Sequence, residues 1–157
     1  MPKVKEWVEF YCRGKVLNLF AGLTRLNIDE VRNDIDPQMP ADYHMDAFDF
    51  TEKWDGDKFG TIVFDPPYNL RKAREKYGGN YVGKLTEIKS ILPRIIDKKG
   101  RVIGFGYDSV GMSASRGFLK IAICLICHNG DHNDTIGLVE EYQGQEVFDF
   151  RKPKEEL

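Results

Sequence analysis

At 157 residues the chain is long enough for one domain that buries about two-thirds of the surface its unfolded form exposes. With 41% hydrophobic and 31% charged residues, the composition is that of a globular protein and excludes a disordered or collagen-like chain. A formal net charge of -2 excludes the global basic field that steers many nucleic-acid binders, so any such contact must come from a local patch.

The start, MPKVKEWVEF, lacks the apolar core of a signal peptide, and no apolar run approaches membrane-spanning length. Val4, Trp7, Val8 and Tyr11 recur at helical spacing, which predicts an amphipathic helix over residues 3–12, ended by Gly14. Short apolar runs follow, separated by turn residues: 15–20, 31–35, 43–45, 61–64 and 101–105 read as buried strands. A short helix is expected over 49–56. A longer one, 84–98, carries Ile88, Ile91, Leu92 and Ile95 on one face, with Pro93 bending it and Gly100 closing it. Residues 118–127 and 135–142, joined by HNGDHND, read as a β-hairpin.

Strands alternating with helices and ending in a hairpin predict an α/β domain over 1–157. Its sheet should be mostly parallel, with an antiparallel strand contributed by the C-terminal hairpin and only the tail 151–157 left outside. Two crossovers are too short for full helices: ten residues separate Phe20 from Val31, and seven separate Ile35 from Tyr43. Helical cover near the first crossovers should therefore be reduced and one face partly bare. The N-terminal stripe looks too narrow to cover it, which leads us to expect a homodimer or a partner subunit. Cys12, Cys124 and Cys127 form no disulfide-like framework, which fits a reducing, cytoplasmic setting.

In a doubly wound sheet, ligands bind beyond the carboxyl ends of the strands. The residues placed there are Phe20-Ala21-Gly22, Asp34 to Asp36, Asp46-Ala47 and Asp65-Pro66-Pro67-Tyr68. Neither proline can donate a hydrogen bond to a sheet ladder, and Pro66 drives Asp65 out of the helical region. A buried strand thus ends on a carboxylate, a rigid carbonyl and an aromatic ring.

These motifs in this order resemble the S-adenosyl-L-methionine-dependent amino-methyltransferases of the DPPY type, which modify the exocyclic nitrogen of adenine, cytosine or guanine. VLNLFAG looks like their first cofactor motif, NDID their ribose-binding acid, MDAFDF their adenine-contacting acid and DPPY their catalytic motif. The resemblance covers roughly residues 15–127 and implies a Rossmann-like methyltransferase fold with S-adenosyl-L-methionine as cofactor. Asn18 stands where the family often has an acid, and Thr24 where many members have a second glycine.

The resemblance implies that Asn18, Phe20, Ala21 and Gly22 face the methionine part of the cofactor, with glycine letting the backbone approach closely. Asp34 or Asp36 would accept from the ribose hydroxyls; Asp34 is preferred as strand-terminal. Asp46 would accept from the adenine amine, with Ala47 donating its backbone N–H. Asp65 and the Pro66 carbonyl would accept the two N–H bonds of the target amine, Pro67 would stiffen the turn, and Tyr68 would stack on the base, worth about 1–3 kcal/mol.

Residues 69–84, NLRKAREKYGGNYVGK, hold five cations against one acid, a local net of +4, interleaved with tyrosines. Asn69, Arg71, Lys72, Arg74 and Tyr77 therefore form a candidate nucleic-acid contact. CLICH, 124–128, matches a haem-attachment pattern, but a strand would turn Cys124 and Cys127 to opposite faces. His128 and His132 are expected to line the target pocket with no metal. The expected function is methyl transfer to adenine N6 in DNA; RNA methylation at guanine N2 or adenine N6, or a non-catalytic binding subunit, stands as the alternative.

Replacing Arg71, Lys72 and Arg74 together by alanine should weaken nucleic-acid binding and flatten its salt dependence by about 0.7–0.9 per lost phosphate contact. Filter binding across a salt series measures this slope, and an unchanged slope returns the segment to an ordinary solvated surface.

Overall fold

The structure, a computed structural model, describes residues 2–67, 84–130 and 133–145. The chain runs α1 (Pro2–Tyr11), β1 (Val16–Asn18), β2 (Glu30–Arg32), α2 (Ala47–Lys53), β3 (Phe59–Phe64), α3 (Leu85–Ile95), β4 (Ile96–Gly106), β5 (Phe118–Ile126) and β6 (Thr135–Tyr142), with a 3-10 turn at Ala114–Arg116. Six strands form one sheet in the order β2-β1-β3-β4-β6-β5. The pairs β1–β2, β1–β3 and β3–β4 are parallel, and β6 lies antiparallel between β4 and β5. This is the α/β architecture the pattern predicts, with the hairpin supplying the antiparallel strand.

Register decides where a site can form. Asn18 lies opposite Val63, Phe64 opposite Gly104, and Gly106 opposite Ile136. The carboxyl ends of β1, β3, β4 and β5 therefore open onto one edge, and the turn after β5 faces the same way.

Two cores flank the sheet. On one face α2 and α3 bury Phe50, Ile88, Leu92 and Ile95 against Leu17, Phe59, Ile62 and Ile96. Three of the four side chains read from the spacing of α3 are buried, Ile91 being only half-buried, and each buried aliphatic side chain contributes about 1.5–3 kcal/mol. On the other face Val8 of α1 packs with Val16, Val63, Ile103 and Val139, with Trp7, Tyr11, Leu26 and Ile28 around them.

That second core corrects our expectation about cover. No helix forms in 21–30 or 36–42, yet α1 and the loop bearing Leu26 and Ile28 close the face over the four central strands. The stripe is sufficient because the loop helps: the Asn27 amide donates to Glu9 of α1 at 2.6 Å, and Arg101 donates to the Tyr11 carbonyl at 3.0 Å. Exposed apolar side chains lie instead on the edge strand β5, where Leu119, Ile123 and Leu125 are 57–64% exposed.

Other boundaries also moved. The expected strand 43–45 is a single bridge between Asn33 and Tyr43, because Asp42 and Tyr43 spend their amides on the Arg32 carbonyl. The second strand starts earlier than expected and ends at Arg32. The short helix covers Ala47–Lys53 rather than 49–56, since Asp46 caps it. Gly100 does not close α3. The helix stops at Ile95, and β4 begins at once with a bulge in which Lys99 takes φ 68°.

If α1 is the cover of its face, Val8→Asp should cost about 3 kcal/mol or more by burying an unpaired carboxylate. Phe10→Asp, at a position 78% exposed on the same helix, should stay within about 0.5 kcal/mol of the parent. Urea unfolding of the two variants reads the difference.

Candidate active site

The loop after β1 has no helix to organise it, and a buried arginine takes that role. Arg32, 1% exposed, donates to the carbonyls of Thr24 at 2.9 Å, Gly22 at 2.8 Å, Ala21 at 3.3 Å and Pro40 at 2.8 Å. Glu30 neutralises it in a close ion pair and also accepts from Asn18 and the Leu26 amide, each at 3.3 Å. The guanidinium's planar fork lets one side chain reach several carbonyls at once.

Held this way, Gly22 sits at φ +56°, and a side chain there would meet nothing within 4 Å. Its amide donates to Asp34 at 2.8 Å, and the other Asp34 oxygen accepts from Asp36 at 2.9 Å. Two spaces open around this turn. A cleft of about 400 Å³ is lined by Asn18, Phe20, Ala21, Gly22, Asp65, His128 and residues of α1. A recess of about 170 Å³ is lined by Phe20, Asn33, Asp34, Met45, Asp65 and Pro67. Asp65 borders both.

The structure thus brings together Asn18, Phe20, Ala21, Gly22, Asp34, Asp65, Pro67 and His128. Pro66 is buried beside them, and Pro66 and Pro67 line a further cavity behind the turn. His128 lies at the cleft with its Nε2 3.1 Å from Thr135 Oγ1 and its amide donating to Asp134 at 3.0 Å. Asp36 makes a local turn, accepting from Gln38 at 2.9 Å. Asp46 caps α2 through the amides of Phe48 and Asp49, and Ala47 is buried; none of the three lines the cleft or the recess. Tyr68, Asn69, Arg71, Lys72, Arg74, Tyr77 and His132 lie outside the described residues.

Sequence reasoning missed Arg32, which lies within the run read as a buried strand, and also Glu30 and Asn33. The Asn33 side chain, on a residue 1% exposed, donates to the carbonyls of Leu19 and Met45 and accepts from the Met45 amide. It ties the first two strand ends to the start of α2. A polar run flanking a single valine was the available signal. Lys89 and Glu140, behind the Asp65–Pro67 turn, were missed too.

No model of a known protein family matches the chain, and no curated protein sequence matches it. Solved structures do resemble it. The N-methyltransferase NodS from Bradyrhizobium japonicum WM9 superimposes at TM-score 0.62 with 7% identity, over 91% of this chain and 96% of that one. TrmN from Thermus thermophilus gives 0.57 with 13% identity, over 89% of this chain and 47% of that one. An rRNA methylase from Streptococcus thermophilus gives 0.54 with 10% identity, over 90% and 95%. The fold is the Rossmann-like one of these methyltransferase structures.

Burial raises the Glu140 pKa above its ordinary 4.5, against the opposing pull of the Met112 and Ser113 amides and of Lys120 and Lys89. The folded state then holds this proton more tightly than the unfolded chain does, so the group's contribution to stability is present below 4.5 and is lost as pH rises above it. Glu140→Gln cannot titrate. Its stability relative to the parent should therefore improve as pH rises from 4.5 through the raised folded pKa and level off beyond it. Denaturant midpoints across a pH series measure this, and a difference that is flat with pH contradicts it.

Proposed function

We propose that this chain is a methyltransferase that carries a methyl group from S-adenosyl-L-methionine to an exocyclic amine of a nucleobase, with adenine N6 in DNA as the preferred acceptor. The observation that carries this reading is that Asp65, at the tip of β3, shares one cleft with the glycine turn held by Arg32 and Asp34. A donor bound at the turn and an acceptor bound at Asp65 would be neighbours. The resemblance in fold to NodS, which has also been solved with S-adenosyl-L-homocysteine, supports the same reading.

The residues present fit such a cofactor. The backbone at Gly22 is open to close approach, Asp34 offers a carboxylate at the recess, and the cleft and recess meet at Phe20 and Asp65. When bound, the sulfonium supplies an already activated methyl group. The protein's task is then alignment, which is worth several kcal/mol when two reactants are held in line. Asp65 would accept one N–H of the amine and the Pro66 carbonyl the other, drawing the nitrogen lone pair out of the ring. Transfer would form the N–C bond as the C–S bond breaks, the electron pair leaving on sulfur, and Asp65 would receive the proton that nitrogen gives up. Two prolines hold φ at Pro66 and Pro67, so the carbonyl acceptor would not have to be ordered during the reaction.

RNA is the second reading of the acceptor, supported by the similarity in fold to an rRNA methylase. A homodimer or a specificity subunit belongs to the proposal as well. The surface that supports it is the β5 edge, where three apolar side chains stand in water.

Asp65→Ala should leave S-adenosyl-L-homocysteine affinity nearly intact and cut transfer by at least about a hundredfold. Incubation with labelled cofactor and total DNA or RNA, followed by nucleoside analysis, reads the parent and the variant together. Transfer that survives within a few-fold removes Asp65 from the reaction; label confined to RNA selects the second acceptor.

A further inference from the structure

The Asp65–Pro67 turn has a space behind it. A cavity of about 240 Å³ lies over β4 and β6, beside α3 and the loop 107–113, and Pro66 and Pro67 form part of its wall. Phe64, Val102, Met112 and Leu138 make much of its lining apolar, and Lys89, Tyr107 and Asp108 line it too. One of its two carboxyl groups is buried. Glu140 is 2% exposed and uses one oxygen to accept from the Met112 amide at 2.8 Å. The Ser113 amide also acts on this carboxyl, but its other oxygen, Oε2, is buried and makes no well-formed hydrogen bond among the described residues.

An unmet buried carboxyl oxygen costs about 1–3 kcal/mol or more, and buried polar atoms are seldom left so in native proteins. Glu140 lies within β6 on the face covered by helices, where an aliphatic side chain would pack better. The loop opposite is shaped to receive it. Gly111 has φ +58°, and a Cβ there would come within 1.9 Å of Glu140 Oε1. Three cations hold that loop by its carbonyls: Lys89 at Gly111 (3.0 Å), Arg116 at Met112 (3.0 Å) and Lys120 at Val110 (3.3 Å).

This charge pattern restricts the ligand. Lys89, Arg116 and Lys120 set against Asp108 and Glu140 leave these groups net positive, which favours a phosphodiester over an organic ammonium, while the apolar part of the wall suits a flat ring and the buried carboxyl suits the polar edge of that ring. Position restricts it further. Glu140 pairs with Val102, and Val102 with Ile62, which sets Glu140 about 10 Å below Asp65 along the strands and about 10 Å across them. One heterocycle cannot bridge that distance, so a ring read by Glu140 is not the ring whose amine meets Asp65.

We propose that the cavity is a second base subsite, which takes the heterocycle of a nucleotide next to the reacting one, with Glu140 Oε2 hydrogen-bonded to its edge. The proposal rests on the acceptor being a nucleic acid. It assigns site selection to a pocket within the catalytic domain and makes Glu140 a specificity-determining residue that takes no part in the chemistry.

The test is titration of the full chain with the common nucleoside 5′-monophosphates, following the methyl resonances of Met112, Ile136 and Leu138. The expected result is a saturable shift for at least one nucleotide. Gly106→Val, which adds a side chain where nothing lies within 4 Å, should weaken that binding by about tenfold or more. Glu140→Gln, which can keep the Met112 bond, should change the order of preference among the bases. No saturable shift with any nucleotide, or affinities unmoved by both variants, overturns the subsite. Binding of S-adenosyl-L-homocysteine is read separately at Leu19 and Val63. Its failure would sink the methyltransferase reading while the cavity titration stood, whereas homocysteine-adduct binding with a silent cavity sinks the subsite alone.

Discussion

One guanidinium organises the candidate site. Where a parallel crossover normally carries a helix, this chain has a bare loop, and the loop's carbonyls would be left without donors away from water. Arg32 supplies those donors from the neighbouring strand, meeting Ala21, Gly22 and Thr24 on one side and Pro40 on the other. Taking such a charge out of water is costly, and removing one member of a buried pair typically costs about 3–5 kcal/mol. Glu30 is therefore as necessary as Arg32, and its second oxygen extends the network to Asn18. The backbone shape at Gly22, and with it the outline of the cleft, depends on this pair.

Cover of the sheet follows from the same economy of chain. With helices missing from two crossovers, one face must be closed by α1 and by the loop that Arg32 holds in place, and Leu26 and Ile28 of that loop join the core under Val8. Loop order, cleft shape and core integrity are thus coupled on one side of the molecule. The opposite face has α2 and α3 and a conventional core. Among the described strands, β5, at the edge beyond both covers, keeps a row of apolar side chains in solvent.

The Asp65–Pro67 turn acts as a partition. Its acid looks into the cleft and the recess beside the glycine turn, and its prolines wall the cavity that contains Glu140. A proline pair suits such a wall, since it needs no ladder partner and resists rotation. On the proposed reading, chemistry and recognition would occupy opposite sides of one rigid element, with neither required to move for the other.

Much of this was legible before any coordinates. Short apolar runs predicted β1, β3 and the second half of β4, the turn signals around HNGDHND predicted the hairpin to within a residue, and the spacing in 84–98 predicted most of the buried face of α3. These signals are local, because they report only which side of a strand or helix must leave water. The Asp65 turn was legible for the same reason, since proline restricts its own neighbours. Tertiary structure alone decided the rest. Whether Asp46 meets a ligand or a helix end, whether Gly100 closes a helix or sits in a strand, and which carbonyls Arg32 reaches all depend on segments distant in sequence. A long charged side chain carries no local mark of its partner. The residues that shape the cleft, Arg32 and Glu30, and the one that marks the cavity, Glu140, became visible only when the sheet order brought their partners beside them.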